Sequence, residues 1–303
     1  MAFVNAVKPS APIDDRRWYK YTRRRTGLLV LKQKSLRWST PGTLNDPFDN
    51  QFNLHIKIDR NALRAAILQR QWETYSGQYQ EPPGNLVGVV LTMLRDRVPG
   101  LMRDRFDQEM MNGVEAAISL AEVNLPKMHD QLKADQSRFK MLCLSETSKS
   151  TLMWSHYAED HQGLVLQFKC TPGFDSIWPA GQRIQYLANM PRLLDSEFLA
   201  DTLSGRLELN VPQILRRLVF TKSNEWSYEQ EWRIWSGLGR NLEAPYEDCQ
   251  FNGEDLDAVI FGCRMPQEDR NNFSTVVRQL YPSAQLLEAV KNVGGYGMDI
   301  RPM

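Results

Sequence analysis

Two glutamates, Glu229 and Glu231 in the run KSNEWSYEQEWRIWSG, are the side chains of this sequence best placed by type and spacing to do chemistry. If residues 230–235 form a strand, Glu231, Arg233 and Trp235 lie on one face, and an extended Glu229 joins them. Two carboxylates held that way repel unless a cation or solvent relieves them, and Arg233 is the nearest cation. Such a pair can do acid–base and charge-stabilising work, or it can be a plain solvated face. Lys20, in WYKYT, is the third candidate. Strand alternation sets it apart from Tyr19 and Tyr21, as an edge charge that discourages aggregation or as a cation aimed into a pocket.

The run MLCLSETSKSTLMWSHYAEDHQGLVLQF (141–168) gathers the remaining distinctive side chains. It reads as a strand over 141–144, a polar turn over 145–150, a helix over 151–159 and a strand over 163–168. Ser and Thr suit the turn and the helix N-cap. On the helix Trp154 and Tyr157, three apart, share a face while His156 points elsewhere. That aromatic face could stack on a flat ligand or plug a core.

The elements that must position these residues follow from periodicity and breakers. Pro9 and Pro12 make residues 1–15 a loose leader. A strand over 18–22, a helix over 26–34 and a strand over 36–39 come next. They lead into TPGTLNDPFDN (40–50), a loop shaped by its own Asn and Asp side chains or a lip over a site. Residues 59–138 are helical, with helices over 61–75, 86–94 and 102–121 parted by Pro82-Pro83-Gly84 and Pro99-Gly100. Later come a strand over 184–187, helices over 196–203 and 211–215, and a strand over 218–221. The chain closes with a strand over 257–261, a helix over 266–280, a strand over 285–290 and a final short segment over 298–300. This order predicts one α+β domain over 16–303, with a helical subdomain inserted at about 59–138.

Composition excludes several classes. At 303 residues with 42% apolar and 24% charged side chains, the chain has ample material for a core and no compositional mark of disorder. A net charge of +1 gives no global field toward nucleic acid or membrane, although Arg23, Arg24, Arg25, Lys32, Lys34 and Arg37 form a local basic run. The four cysteines have no paired metal spacing and read as reduced thiols. With no signal peptide and no apolar run of spanning length, the expected compartment is the cytoplasm, with export by a dedicated secretion system equally compatible. No membrane partner and no metal are expected.

The segments WYKYT (18–22), LRWSTPGTLNDPFDN (36–50), LCLSETSKSTLMWSHYAEDHQGLVLQF (142–168), WSYEQEWR (226–233) and AVIFGCRM (258–265), in that order, resemble a bacterial family catalogued as domain of unknown function 2971. The family name carries no activity. A more distant similarity is to ADP-ribosyltransferases, whose three sparse motifs run in the same order. It implies a mixed, mainly antiparallel split β-sheet core. It puts Lys20 in the first-motif place, usually held by His or Arg, Ser39 and Thr40 in the second, and Glu229 and Glu231 in the third.

The reaction implied is cleavage of the bond between nicotinamide and ribose of NAD, used as substrate, with transfer of ADP-ribose to a macromolecular acceptor, protein or nucleic acid. That step builds oxocarbenium-like charge on the sugar, which a fixed carboxylate stabilises. Glu231 takes this role and Glu229 orients or deprotonates the acceptor. Lys20 meets phosphate or ribose oxygens, Tyr21, Ser39, Thr40 and His156 complete the binding set, and Trp154 or Tyr157 offers a flat surface to a base or nicotinamide. No Gly-rich dinucleotide fingerprint favours a dehydrogenase. The alternative of a different class is a non-catalytic binding module. A third reading, a nuclease or phosphodiesterase with Asp46, Asp49, Glu146 and His156 around a metal, lacks a known ligand spacing.

Overall fold

The computed structural model describes residues 16–50, 58–170, 176–190 and 194–303, so the leader expected over 1–15 lies outside the described residues. The elements begin with β1 (Arg17–Thr22), α1 (Arg24–Gln33), β2 (Ser35–Ser39), α2 (Arg60–Tyr75), α3 (Leu86–Arg97) and α4 (Arg103–Gln136). There follow β3 (Phe139–Ser145), α5 (Thr151–Tyr157), β4 (Leu164–Lys169), β5 (Gln182–Arg183), β6 (Gln185–Leu187), α6 (Ser196–Ser204) and α7 (Val211–Val219). The last part holds β7 (Thr221–Ser223), a 3-10 turn (Asn224–Glu229), β8 (Glu231–Leu238), β9 (Tyr246–Gln250), β10 (Leu256–Phe261), α8 (Gln267–Leu280), β11 (Gln285–Lys291) and β12 (Met298–Pro302). By internal packing the chain divides into two units, drawn from 1–50, 135–189 and 220–303 and from 51–134 and 190–219.

The first unit is mixed α+β, with an open and mostly antiparallel sheet. Its strands run in the order β12-β11-β10-β4-β1-β3-β2-β9, and β8 pairs with β3 and β5. The β10–β11 and β6–β7 pairs are parallel; the other ladders are antiparallel. Alternation sorts each strand between two apolar layers. Leu164, Leu166 and Phe168 of β4 join Trp18, Leu142, Leu144, Val259 and Phe261 in a core closed by Leu31 of α1 and Phe273 and Val277 of α8. Val165 and Ile260 point to the other face, where they meet Tyr21, Met153, Trp154 and Ala158. Helix α5 therefore covers the face that Tyr21 shares with Cys143, Glu231 and Arg233.

After α5 the backbone makes an unusual left-handed turn, with positive φ at Glu159, Asp160 and His161 in succession. The turn returns the chain to β4 so tightly that a Cβ on Gly262 would sit 2.1 Å from the His161 carbonyl oxygen. Replacing Gly262 by Ala is expected to lower stability by about 1–3 kcal/mol, the usual range for overpacking, because the colliding atom is backbone and cannot swing away. A urea melt of Gly262→Ala beside the parent reads this directly, and an unchanged midpoint would show the turn to be compliant.

The second unit is helical. Leu63, Ile67 and Leu68 of α2 pack with Val114, Ile118 and Leu125 of α4, Leu199 of α6, and Ile214 and Leu218 of α7. Asp59 caps α2 by accepting from the Asn61 and Ala62 amides, and Asn85 caps α3. Two expectations are corrected here. The helix expected over 102–121 continues as α4 to Gln136, passing through Pro126 with the loss of one backbone donor. The stretch 218–221, read as a strand, is split: α7 continues to Val219 because Ile214 and Leu218, four apart, both reach the helical core, and only Thr221 enters β7. Among the described residues no helix is long and apolar enough to cross a membrane.

Candidate active site in the split of the sheet

Strand β3 is paired along its length on one edge, with one irregularity between Phe139 and Met141, and barely paired on the other. Against β8 it runs from Phe139 to Ser145, but it meets β1 only at Tyr19↔Ser145 and β2 only at Ser39↔Met141. Between those two points β1 and β2 diverge from it. Backbone groups exposed by such a gap need other partners, and the Cys143 carbonyl finds one in the Lys20 ammonium at 2.8 Å. A cavity of about 280 Å³ opens at this split. Its walls are Tyr19, Lys20 and Tyr21 of β1, Arg37 and Ser39 of β2, Thr43, Leu44, Asn45 and Asp49 of the loop after β2, Met141 to Ser145 of β3 except Leu142, and Met153 and Tyr157 of α5. Lys222, Glu229 and Glu231 complete it.

Those last residues belong to a buried network of charge. Lys222 Nζ donates to Glu229 Oε2 at 2.6 Å and to Glu231 Oε2 at 3.1 Å. Arg233, fully buried, donates from Nε to Glu231 Oε1 at 2.7 Å and grips both oxygens of Asp49. Three carboxylates thus face two cations, and a fork of guanidinium N–H groups suits the bidentate hold on Asp49. Glu229 arrives by a different route from Glu231. It ends the 3-10 turn, and Gln230, left-handed at φ 45°, turns the chain sharply into β8. That departs from the extended backbone expected before Glu231. A non-glycine residue held in this region costs free energy that the surrounding structure must supply; here the Gln230 carbonyl accepts from the Glu146 amide at 3.0 Å.

The two glutamates are driven apart in protonation. Burial alone would raise the Glu231 carboxyl, but Arg233 and Lys222 outweigh it and hold it below the usual range. Burial also raises Glu229; Lys222 opposes the rise, the charge of Glu231 adds to it, and the carboxyl stays raised. Burial would lower the Lys222 ammonium, yet Glu231, Glu229 and Asp49 raise it. Two carboxyls pushed in opposite directions are the arrangement that divides acid–base work from charge stabilisation.

The sign for stability follows. Glu231, depressed on folding, contributes stability that is complete above the ordinary glutamate value near 4.3 and is lost as pH falls through its folded value. Glu229, raised, subtracts stability as pH climbs past that same ordinary value. Glu231→Gln is therefore expected to make the acid limb of the stability profile shallower, though not flat, since Glu73, Glu159 and Asp257 are also held low. Urea midpoints taken between pH 2.5 and 6 measure it; a limb as steep as the parent's would refute the assignment.

The structure distributes the sequence-derived candidates unevenly. Glu231, Glu229, Lys20, Tyr21, Ser39 and Tyr157 all line the cavity. Thr40 is buried and donates to the Pro245 carbonyl instead. Trp154 is wholly buried, its Nε1 donating to the Ser148 carbonyl at 2.7 Å and its ring against the edge of Tyr21, so it packs a core and offers no face to a ligand. His156 is exposed, with Nδ1 3.1 Å from Tyr228 Oη. Sequence reasoning missed Lys222 as a site residue. It precedes Glu229 by seven residues across a 3-10 turn, a spacing that fits no strand or helix template. Asp49, named only for a metal site, is instead bound by Arg233, and no group of His, Cys, Asp and Glu among the described residues is arranged to hold a metal ion.

No curated protein and no solved structure matches this chain. A family model described as "Protein of unknown function (DUF2971)" matches residues 153–234, the stretch that supplies Tyr157, Lys222, Glu229, Glu231 and Arg233, and this match supports the chain's resemblance to that family.

Proposed function

We propose that this protein is an ADP-ribosyltransferase-like enzyme that cleaves the nicotinamide–ribose bond of NAD and transfers ADP-ribose to a macromolecular acceptor. The observation that carries the reading is one cavity lined by Lys20, Ser39 and two glutamates whose carboxyls are shifted in opposite directions. As the C1′–N bond breaks, its electron pair goes to the nicotinamide ring and positive charge grows on the ribose. The Glu231 carboxylate, fixed by Arg233 and Lys222, supplies a field of the right sign there with no reorganisation. The acceptor's lone pair closes the new bond to C1′, and Glu229 takes its proton. At about 280 Å³ the cavity is on the small side for a ligand pocket, so it takes the nicotinamide–ribose end and leaves the rest of the dinucleotide at the mouth. Arg37, which lines the cavity, is exposed, stacked on Tyr246 and paired with Asp248, and a phosphate would have to share its guanidinium with that carboxylate.

One observation favours a second reading, a non-catalytic binding module: both oxygens of Glu231 are already engaged by buried cations, as in a polar core that only specifies the fold. The two part on one assay. Incubation with NAD labelled in the nicotinamide ring, with and without cell lysate, yields free nicotinamide under the first reading. Binding without release of label supports the second.

A further inference from the structure

Glu229 is tied to the loop that follows β2 by a chain of two hydrogen bonds, and every group in that chain can both donate and accept. Asn45 Nδ2 donates to Tyr157 Oη at 2.9 Å, and Tyr157 Oη donates to Glu229 Oε1 at 2.5 Å. The other carboxylate oxygen accepts from Lys222. With Glu229 ionised, the single phenolic hydrogen goes to the carboxylate while the phenolic oxygen takes the amide N–H. With Glu229 protonated, the chain can run backwards: the acid donates to Tyr157, the phenol donates to Asn45, and the amide turns over to present its oxygen. Neither state leaves a polar atom in the cavity wall unpaired, which would otherwise cost about 1–3 kcal/mol.

We infer that Tyr157, backed by Asn45, is a positioning residue that lets Glu229 exchange a proton with the acceptor; the inference rests on the transferase reading above. It also replaces the stacking role expected of Tyr157. The groups facing Glu229 are Lys222 from β7, Glu231 from β8, Tyr157 from α5, Tyr186 from β6 and Tyr228 from its own 3-10 turn, with Asp49 and Arg233 behind them. Of the two side chains bonded to its carboxylate, Lys222 is buried and shared with Glu231, whereas Tyr157 leads to the exposed Asn45. Only the Tyr157 branch is free to reverse.

The test is the titration of the Glu229 carboxyl, followed by carbon NMR on protein labelled at glutamate and assigned with Glu229→Gln. In Tyr157→Phe the ionised form loses a donor, so the midpoint moves to higher pH. In Asn45→Asp the ionised aspartate can only accept, which turns the phenolic hydrogen away from Glu229, and the midpoint again moves up. The acid limb of nicotinamide release follows it in the same direction. Should Tyr157→Phe fail to fold, Asn45→Asp carries the test when read against Thr43→Asp, which puts the same added charge on the exposed loop without a bond to the phenol. A purely structural Tyr157 would lower the melting temperature, leave the Tyr157→Phe midpoint where it is and give Asn45→Asp no larger rise than Thr43→Asp, which would overturn the inference. The titration needs no NAD: a moved midpoint in a protein that releases no nicotinamide removes the transferase reading and keeps the chain, and an unmoved one in an active protein does the reverse.

Discussion

Glu231→Gln is expected to slow nicotinamide release from NAD by about 10²–10³-fold, the usual effect of removing one preorganised electrostatic contact to a developing charge. Gln keeps the volume, and its one oxygen in the Oε2 place still accepts from Lys222 and Arg233 Nη2, although its amide nitrogen then loses the bond from Arg233 Nε, so the cavity stays the same size. What it lacks is the negative charge that stabilises the ribosyl cation. The loss should fall on kcat, since the positive charge sits on the nicotinamide ring in bound NAD and reaches the ribose only in the transition state. Stability is a useful control. The cluster holds three carboxylates against two cations, so neutralising one leaves Arg233 with Asp49 and Lys222 with Glu229. A folded, NAD-binding and inactive Glu231→Gln is the expected result. A fully active one would remove the mechanism proposed for this site.

Arg233→Met is expected to destabilise the protein by about 3–5 kcal/mol, because deleting one partner of a buried ion pair strands the other in low dielectric. Here two are stranded. Asp49 loses its bidentate partner and keeps the Asn50 side-chain amide at 2.8 Å and, as its one remaining cation, Lys222 at 3.7 Å, while Glu231 loses its hydrogen bond from Nε. Methionine fills much of the space but cannot donate. Adding Asp49→Leu should return part of the loss, since a well-packed apolar pair can replace a buried ionic one. Chemical denaturation of the parent, the single and the double variant measures this. If Arg233→Met lost less than about 1 kcal/mol, water would be reaching the cluster and the protonation contrast between Glu229 and Glu231 would lose its cause.

Periodicity made most of the first unit legible. WYKYT, LVLQF and LDAVIF appear as β1, β4 and β10, and Tyr19 and Tyr21 share the expected face, since a strand's facing is a local property with period two. Glu231 and Arg233 share a face for the same reason. Strand β9 was not read at all. Its YEDCQ is too polar for a strand signal, and it forms by pairing with β2, where Arg37 and Asp248 face each other. Trp154 and Tyr157 show the limit within one helix. Spacing put both on one face of α5, but only packing sent the tryptophan into the core and the tyrosine to a carboxylate.

The amino-acid order thus determined which side chains each strand and helix could present, because facing depends on neighbours two, three or four residues away. Convergence of Asp49, Lys222 and Arg233 on Glu231 spans loop, turn and strand contributions up to 184 residues apart. It was decided by tertiary structure alone, as was the split between β1, β2 and β3 that opens the cavity. Charges distant in the chain bring one another's protonation to heel only when burial removes the water that would otherwise screen them.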